Sequence, residues 1–185
     1  RSLALIDGVS GKLADAVARR RIPAQALKDL DQAIGRGFSV VTLNDAAYPP
    51  LLREISDPPA YLYVAGRLAP EDRCIAVVGS RHPTDYGVQT THRLSRDLSL
   101  QGFTVVSGLA RGIDTAAHRG ALDGGGRTVA VLGSGLNWIY PPENRRLAER
   151  IAASGAVISE FPPDARPDGH HLDRKSTRLN SSHYS

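Results

Sequence analysis

The chain of 185 residues is 41% hydrophobic and 23% charged, with a formal net charge of +4, the composition of one folded domain with a sizeable core and a small appendage. It has no stretch of about 18 apolar residues that could cross a bilayer and no charged-then-apolar leader, so membrane insertion and secretion are set aside and a cytoplasmic protein is expected. The positive balance suits a polyanionic partner, and equally a solvated basic face.

Residues 1–36 predict helices. Leu13, Ala16 and Val17, then Leu27, Leu30 and Ile34, recur at three- and four-residue spacing, and Pro23 opens the second segment. Ahead of them "IDGVSGKLADAV" reads as the glycine-bounded turn and following helix of a helix-hairpin-helix, or SAM-like, element. Such a turn can hold a phosphate on backbone N–H groups, and it serves an ordinary helix–helix corner equally well.

From Phe38 the signal changes to short apolar runs. "FSVVTL" and "AYLYVAG" predict strands, separated by Tyr48-Pro49-Pro50 and Asp57-Pro58-Pro59. Beyond them strands predicted over 74–78, 103–106, 128–132 and 156–158 alternate with helices near 86–100, 113–122 and 143–153. That alternation implies parallel strands with crossover helices, an α/β doubly wound sheet. The strands are almost continuously apolar, as expected where helices cover both faces. The helix near 86–100 is expected to turn Val88, Leu94 and Leu98 inward and to leave Arg93, Arg96 and Asp97 to water.

Cys74 is the one cysteine and opens an apolar run, so it reads as a small buried hydrophobe. The six histidines are scattered apart from the pair His170-His171, with no Cys or carboxylate at ligand spacing, so no metal and no cofactor is expected. The chain holds no Met, even at position 1, and reads as a fragment.

Three loops follow successive parallel strands and each opens on small residues: Gly79-Ser80-Arg81, Ser107-Gly108-Leu109 and Gly133-Ser134-Gly135. Loops that follow parallel strands leave the sheet at one edge, so these three must meet. Glycines admit a ligand to the main chain, a following helix presents its positive end, and serine hydroxyls add donors. Arg81 and Arg111, the latter before Gly112, supply guanidinium forks that match phosphate. The three loops together are a candidate anion site.

Enzyme motifs are missing. No G-x-G-x-x-G follows a strand, no P-loop occurs, and Ser134 lies between Gly133 and Gly135 without the nucleophile-elbow spacing. Asp114 and His118 stand four apart on one helical face, where a structural hydrogen bond between them is the expected role.

The segments "IAVVGSRHPTDYG", "GFTVVSGLARGIDTAAHRGAL", "GRTVAVLGSGLNWIYPPEN" and "GAVISEFPP" occur in an order and spacing that resembles the DNA-processing protein A (DprA, or Smf) family. The resemblance runs from Tyr48 to about His171. It implies a Rossmann-like, mostly parallel sheet over 37–171, preceded by a partial helical domain over 1–36. Residues 172–185 are expected to be a disordered, non-native tail, because the chain leaves the family pattern from Leu172 onward. The resemblance further implies binding of single-stranded DNA, loading of the recombinase RecA onto it in transformation and recombination, homodimerisation and no catalytic turnover. It assigns Gly79, Ser80 and Arg81, the motif from Ser107 to Asp114 and Asn144 of the Tyr-Pro-x-x-Asn motif to the site, with His170 and His171. The reading of another class is a nucleotide-processing phosphoribohydrolase on a related fold, whose Pro-Gly-Gly-x-Gly-Thr motif is absent from these residues.

Overall fold

A computed structural model of the chain describes residues 24–167. Its elements run α1 (Ala24–Gly35), β1 (Ser39–Thr42), α2 (Pro50–Arg53), β2 (Tyr61–Gly66), β3 (Arg73–Ala76), α3 (Asp85–Leu100), β4 (Phe103–Ser107), α4 (Ile113–Asp123), β5 (Thr128–Val131), a 3₁₀ turn (Pro142–Asn144), α5 (Arg145–Ser154) and β6 (Ala156–Ser159). The helix predicted over 12–21, the turn before it, His170, His171 and the tail from 172 lie outside the described residues.

One six-stranded sheet carries the fold, in the order β1-β2-β6-β5-β4-β3. β3, β4, β5 and β6 are parallel, while β2 joins β6 and β1 joins β2 antiparallel. This is the Rossmann-like, mostly parallel α/β sheet expected, with "FSVVTL" and "AYLYVAG" extending it as an antiparallel pair.

The register sorts the side chains into two faces, because successive residues of a strand point to opposite sides. Ala76 pairs with Val106, Val106 with Val129, and Val129 with Ala156. These residues, with Cys74, Val131 and Ile158, therefore share one face. Ile75, Val105, Ala130 and Val157 share the other. Each crossover from β3 through β6 moves one strand in the same direction, and a right-handed connection then puts α3, α4 and α5 on a single face. The core agrees. Leu147, Ala148 and Ile151 of α5 cluster with Tyr63, Ala130 and Val157, and Ala117 and Ala121 of α4 pack against Val105.

The expectation of helices over both faces is corrected by this topology. The strand order does not reverse among the described residues, so no described crossover helix reaches the second face. Over β2, β6 and β5 that face is closed by Tyr48, Leu52 and Leu68, which pack on Val64, Val129 and Ile158. Toward β3 no described element covers it, and Cys74, expected to be buried, is exposed there.

α3 also departs from its apolar spacing. Leu94 is 52% exposed and Val88 37%, whereas Ser95 and Ser99 are the buried residues of the helix. The reason lies on α4 and in the turn after it. A Cβ on Gly120 would stand 2.2 Å from the carbonyl oxygen of His92, and one on Gly124 2.8 Å from that of Arg96. Helices this close have room between them only for small side chains. Ser99 Oγ secures the contact by donating to the carbonyl of Ala121 at 2.9 Å.

Gly120→Ala is accordingly expected to cost about 1–3 kcal/mol in urea unfolding, because the obstacle is backbone and must shift as a unit. Gly35→Ala is the control, since nothing lies within 4 Å of a Cβ there. Equal unfolding midpoints for the Gly120→Ala and parent chains would contradict the close helix contact.

Candidate functional site

The loops after β3, β4 and β5 leave the same edge of the sheet and enclose a cavity of about 200 Å³. Its walls include Arg81 and His82 from the first loop, Gly108, Ala110 and Arg111 from the second, and Gly133 and Ser134 from the third, with Tyr140, Pro141 and Pro167 closing the side. Five residues proposed from sequence thus line one space: Arg81, Gly108, Arg111, Gly133 and Ser134.

The remaining described candidates build that space from behind. Gly112 has φ 79°, and a Cβ on it would stand 2.4 Å from the Ser80 carbonyl oxygen. The first two loops are therefore in backbone contact, stitched by Ile113 N–H donating to that carbonyl at 3.1 Å. Gly79 has Ile113 where a side chain would go, and Ser80 Oγ accepts from His82 N–H at 3.0 Å. Ser107 is fully buried and its hydroxyl donates to the Val77 carbonyl at 2.6 Å. Gly135 lies against the Pro162 carbonyl, where a Cβ would come within 2.0 Å, and its N–H donates to Ala165. Ser134 keeps a place on the wall while its hydroxyl donates to the Trp138 carbonyl at 2.7 Å.

Asn144 is 3% exposed and faces the second loop from inside. Its Nδ2 donates to the Leu109 carbonyl at 3.0 Å and to Thr115 Oγ1 at 2.8 Å. Thr115 Oγ1 in turn donates to the Ala110 carbonyl at 2.7 Å, and Asp114 Oδ2 accepts from Ala110 N–H at 3.2 Å. Between these clamps Leu109, fully buried, takes φ 60°, a left-handed conformation for a residue with a side chain. Such a conformation costs about 1–3 kcal/mol and persists only where its surroundings over-determine it. Asn144, Thr115 and Asp114 do so here.

Asp114 and His118 each have a structural partner away from the other. His118 is fully buried, with Nδ1 2.7 Å from Thr128 Oγ1. The Thr128 hydroxyl gives its proton to the Val105 carbonyl at 2.6 Å, so the imidazole hydrogen is assigned to Nδ1. Both residues fasten α4, Asp114 to the loop and His118 to the sheet.

Charge at the cavity is uneven. Arg111 Nε meets Glu143 Oε1 at 2.6 Å, in a pair whose side chains are 59% and 53% exposed. The Arg111 hydrogen bond holds the Glu143 carboxyl below the usual carboxylate range. With the folded value depressed, the contact is present at neutral pH and is lost as pH falls through that lowered range. Arg166 lies over the Trp138 ring, 5.1 Å from its centroid. Arg81, on the cavity wall, makes no ion pair among the described residues. No group of three His, Cys, Asp or Glu among the described residues is placed to hold a metal, and no described helix is long and apolar enough to cross a membrane.

Sequence reasoning did not pick out His82, Thr115, Tyr140 or Glu143. Tyr140 and Glu143 lie inside the quoted Tyr-Pro-x-x-Asn motif, which was the available signal. Nothing in the sequence shows that Thr115 and Asn144 meet.

Several known proteins are similar to this chain. The family model of DNA recombination-mediator protein A matches residues 39–177. Protein Smf of Synechocystis is 40% identical over 172 residues, which are 90% of this chain and 43% of that protein. The DNA processing protein DprA of Bacillus subtilis is 34% identical over 174 residues, 86% of this chain and 59% of that one. The crystal structure of Streptococcus pneumoniae DprA superposes with a TM-score of 0.79 at 32% identity, covering 95% of this chain and 60% of that one. Helicobacter pylori DprA, whose structure addresses its single-stranded DNA binding mode, superposes with a TM-score of 0.69 at 29% identity, covering 78% of this chain and 65% of that one. The chain thus spans about half the length of the relatives it matches.

Asn144→Ala removes the donor to the Leu109 carbonyl and to Thr115 Oγ1, and leaves the buried Leu109 carbonyl without that partner. A loss of about 1–3 kcal/mol is expected, with amide hydrogen exchange accelerated over 108–112 and unchanged in β6. Unchanged exchange over 108–112 would show that the loop holds its shape without Asn144.

Proposed function

Because the chain belongs to the family of DNA recombination-mediator protein A, whose model matches residues 39–177, we propose that its three loops hold the phosphate backbone of single-stranded DNA. The observation that carries this reading is Arg81, an exposed guanidinium on the cavity wall with no ion pair among the described residues. Gly108 and Gly133 line the same cavity and let a phosphate approach the main chain, and Arg111 lines it too, positioned by Glu143. A guanidinium fork fits a phosphate through paired hydrogen bonds. Tyr140, 56% exposed on the same wall, offers a ring face on which a base can stack. Gly79, Ser80, Ser107, Gly112, Gly135 and Asn144 act by holding the loops. His170 and His171 belong to the site by resemblance.

Binding without turnover fits the wall chemistry. The hydroxyls of Ser107 and Ser134 are engaged by backbone carbonyls, and His118 is buried against Thr128. Neither serine hydroxyl is bonded to a histidine base among the described residues. Delivery of the strand to RecA, homodimer formation and a cytoplasmic setting are proposed with it, for proteins of the relatives' full length.

The test is fluorescence anisotropy of a labelled oligo-dT strand. Arg81→Ala is expected to weaken binding by about 1–3 kcal/mol and to reduce the slope of log affinity against log salt by about 0.7. Arg81→Lys should restore the slope more fully than the affinity, because charge returns without the planar fork. Arg96→Ala, on the exposed side of α3, is the control. A folded Arg81→Ala chain with unchanged affinity and slope would remove the anion site from this cavity.

A further inference from the structure

The segment between β5 and α5 carries two exposed aromatic side chains. Trp138 is 42% exposed and Tyr140 56%, while Ile139 between them packs against the core cluster that includes Leu147 and Ile151. Tryptophan is among the most buried side chains on average, so an indole left at the surface points to something that meets it there. The main chain beneath it is fixed. Ser134 Oγ donates to the Trp138 carbonyl at 2.7 Å, and Trp138 N–H donates to the carbonyl of Gly135 at 2.9 Å. Arg166 lies over the ring, 5.1 Å from its centroid, and the residue keeps its exposure with that guanidinium in place. The segment that carries Arg166 is fastened to the same turn. Gly135 N–H donates to the Ala165 carbonyl at 2.8 Å, Asn137 N–H to that of Pro163 at 3.0 Å, and Asn137 Nδ2 to Asp164 Oδ1 at 2.7 Å.

This shelf is continuous with the three-loop cavity. Tyr140 and Pro167 stand on the cavity wall, Trp138 lies two residues before the first, and Arg166 immediately precedes the second. A single strand with a phosphate at Arg81 has neighbouring bases with no complementary strand to cover them. Such bases stack on aromatic rings and on guanidinium planes, whatever their identity. An indole with a cation over it offers both surfaces at once. Charge is also suited to the strand: Arg166 makes no ion pair among the described residues, and the neighbouring Asp164 is engaged by Asn137. We propose that Trp138, with Arg166 over its ring, is a second base-stacking station at the rim of the cavity, adjoining Tyr140. The inference rests on the DNA-binding reading of the cavity and deepens it, because two stacking positions select a run of unpaired bases over a lone nucleotide.

Trp138 is the one tryptophan of the chain, so indole emission reports on this station alone. The 185-residue chain is titrated with oligo-dT and with an abasic strand of the same length, following indole emission and the anisotropy of the labelled strands. Oligo-dT is expected to quench the emission in step with binding, and the abasic strand to bind more weakly and without quenching. Trp138→Ala should weaken oligo-dT binding about tenfold while leaving its salt slope and the binding of the abasic strand unchanged, which also shows that the variant is folded. Trp138→Phe should recover most of the loss, because stacking needs an aromatic face and no particular one. Oligo-dT binding that leaves the emission unchanged, or that is as tight in Trp138→Ala as in the parent chain, would overturn the station and leave the phosphate site standing. Failure of both strands to bind would remove the DNA-binding reading and the station with it. Emission that shifts with protein concentration in the absence of a strand would assign the indole to a second copy of the chain.

Discussion

Each parallel strand from β3 to β5 pairs with the next strand in the chain, and this constraint determines most of what the molecule can do. Parallel strands leave the sheet at the same edge, so the loops after β3, β4 and β5 converge without any sequence needed to attract them. The same order places α3, α4 and α5 on one face and leaves the β3 side of the other face without a cover among the described residues. A site at one edge and an apolar surface that no described element covers are two results of one topological fact.

Convergence alone does not make a pocket, because glycine-rich loops have many conformations open to them. Here the rigidity comes from buried hydrogen bonds. Asn144 reaches forward from the start of α5 to hold Leu109 in its left-handed turn, while Thr115 and Asp114 grip Ala110 from the first turn of α4. These bonds are buried or partly buried and count for more than the exposed Arg111–Glu143 contact, whose value lies in aiming a guanidinium more than in stability. Charge and stiffness at the site are thus divided between different residues, Arg81 and Arg111 for the first and Asn144 with Thr115 for the second.

Much of this was legible in the sequence. The apolar runs and helical spacing located the strands and crossover helices to within a few residues, and small residues after three successive strands located the cavity. What the sequence concealed depends on neighbours distant along the chain. Ser107 has the sequence context of a ligand donor, yet the register puts it beneath the Val77 carbonyl. The spacing in α3 favours Leu94 as an inward residue, yet Gly120 brings α4 so near that serines occupy the seam. Cys74 sits in an apolar run typical of a strand covered on both sides, and only the strand order reveals that one side is open. Local pattern fixes which residues share a face of a strand. Which faces are covered is decided by topology.

An amide-resolved NMR titration of the 185-residue chain with oligo-dT probes the three-loop site most directly. Shift changes are expected to concentrate on the main chain of residues 79–82, 108–112 and 133–134 and on the Arg81 and Arg111 side chains, while β1, β2 and the chain turn at Gly102 stay unaffected. Saturating changes centred on α1 and β1, with the three loops silent, would contradict a binding site at this edge of the sheet.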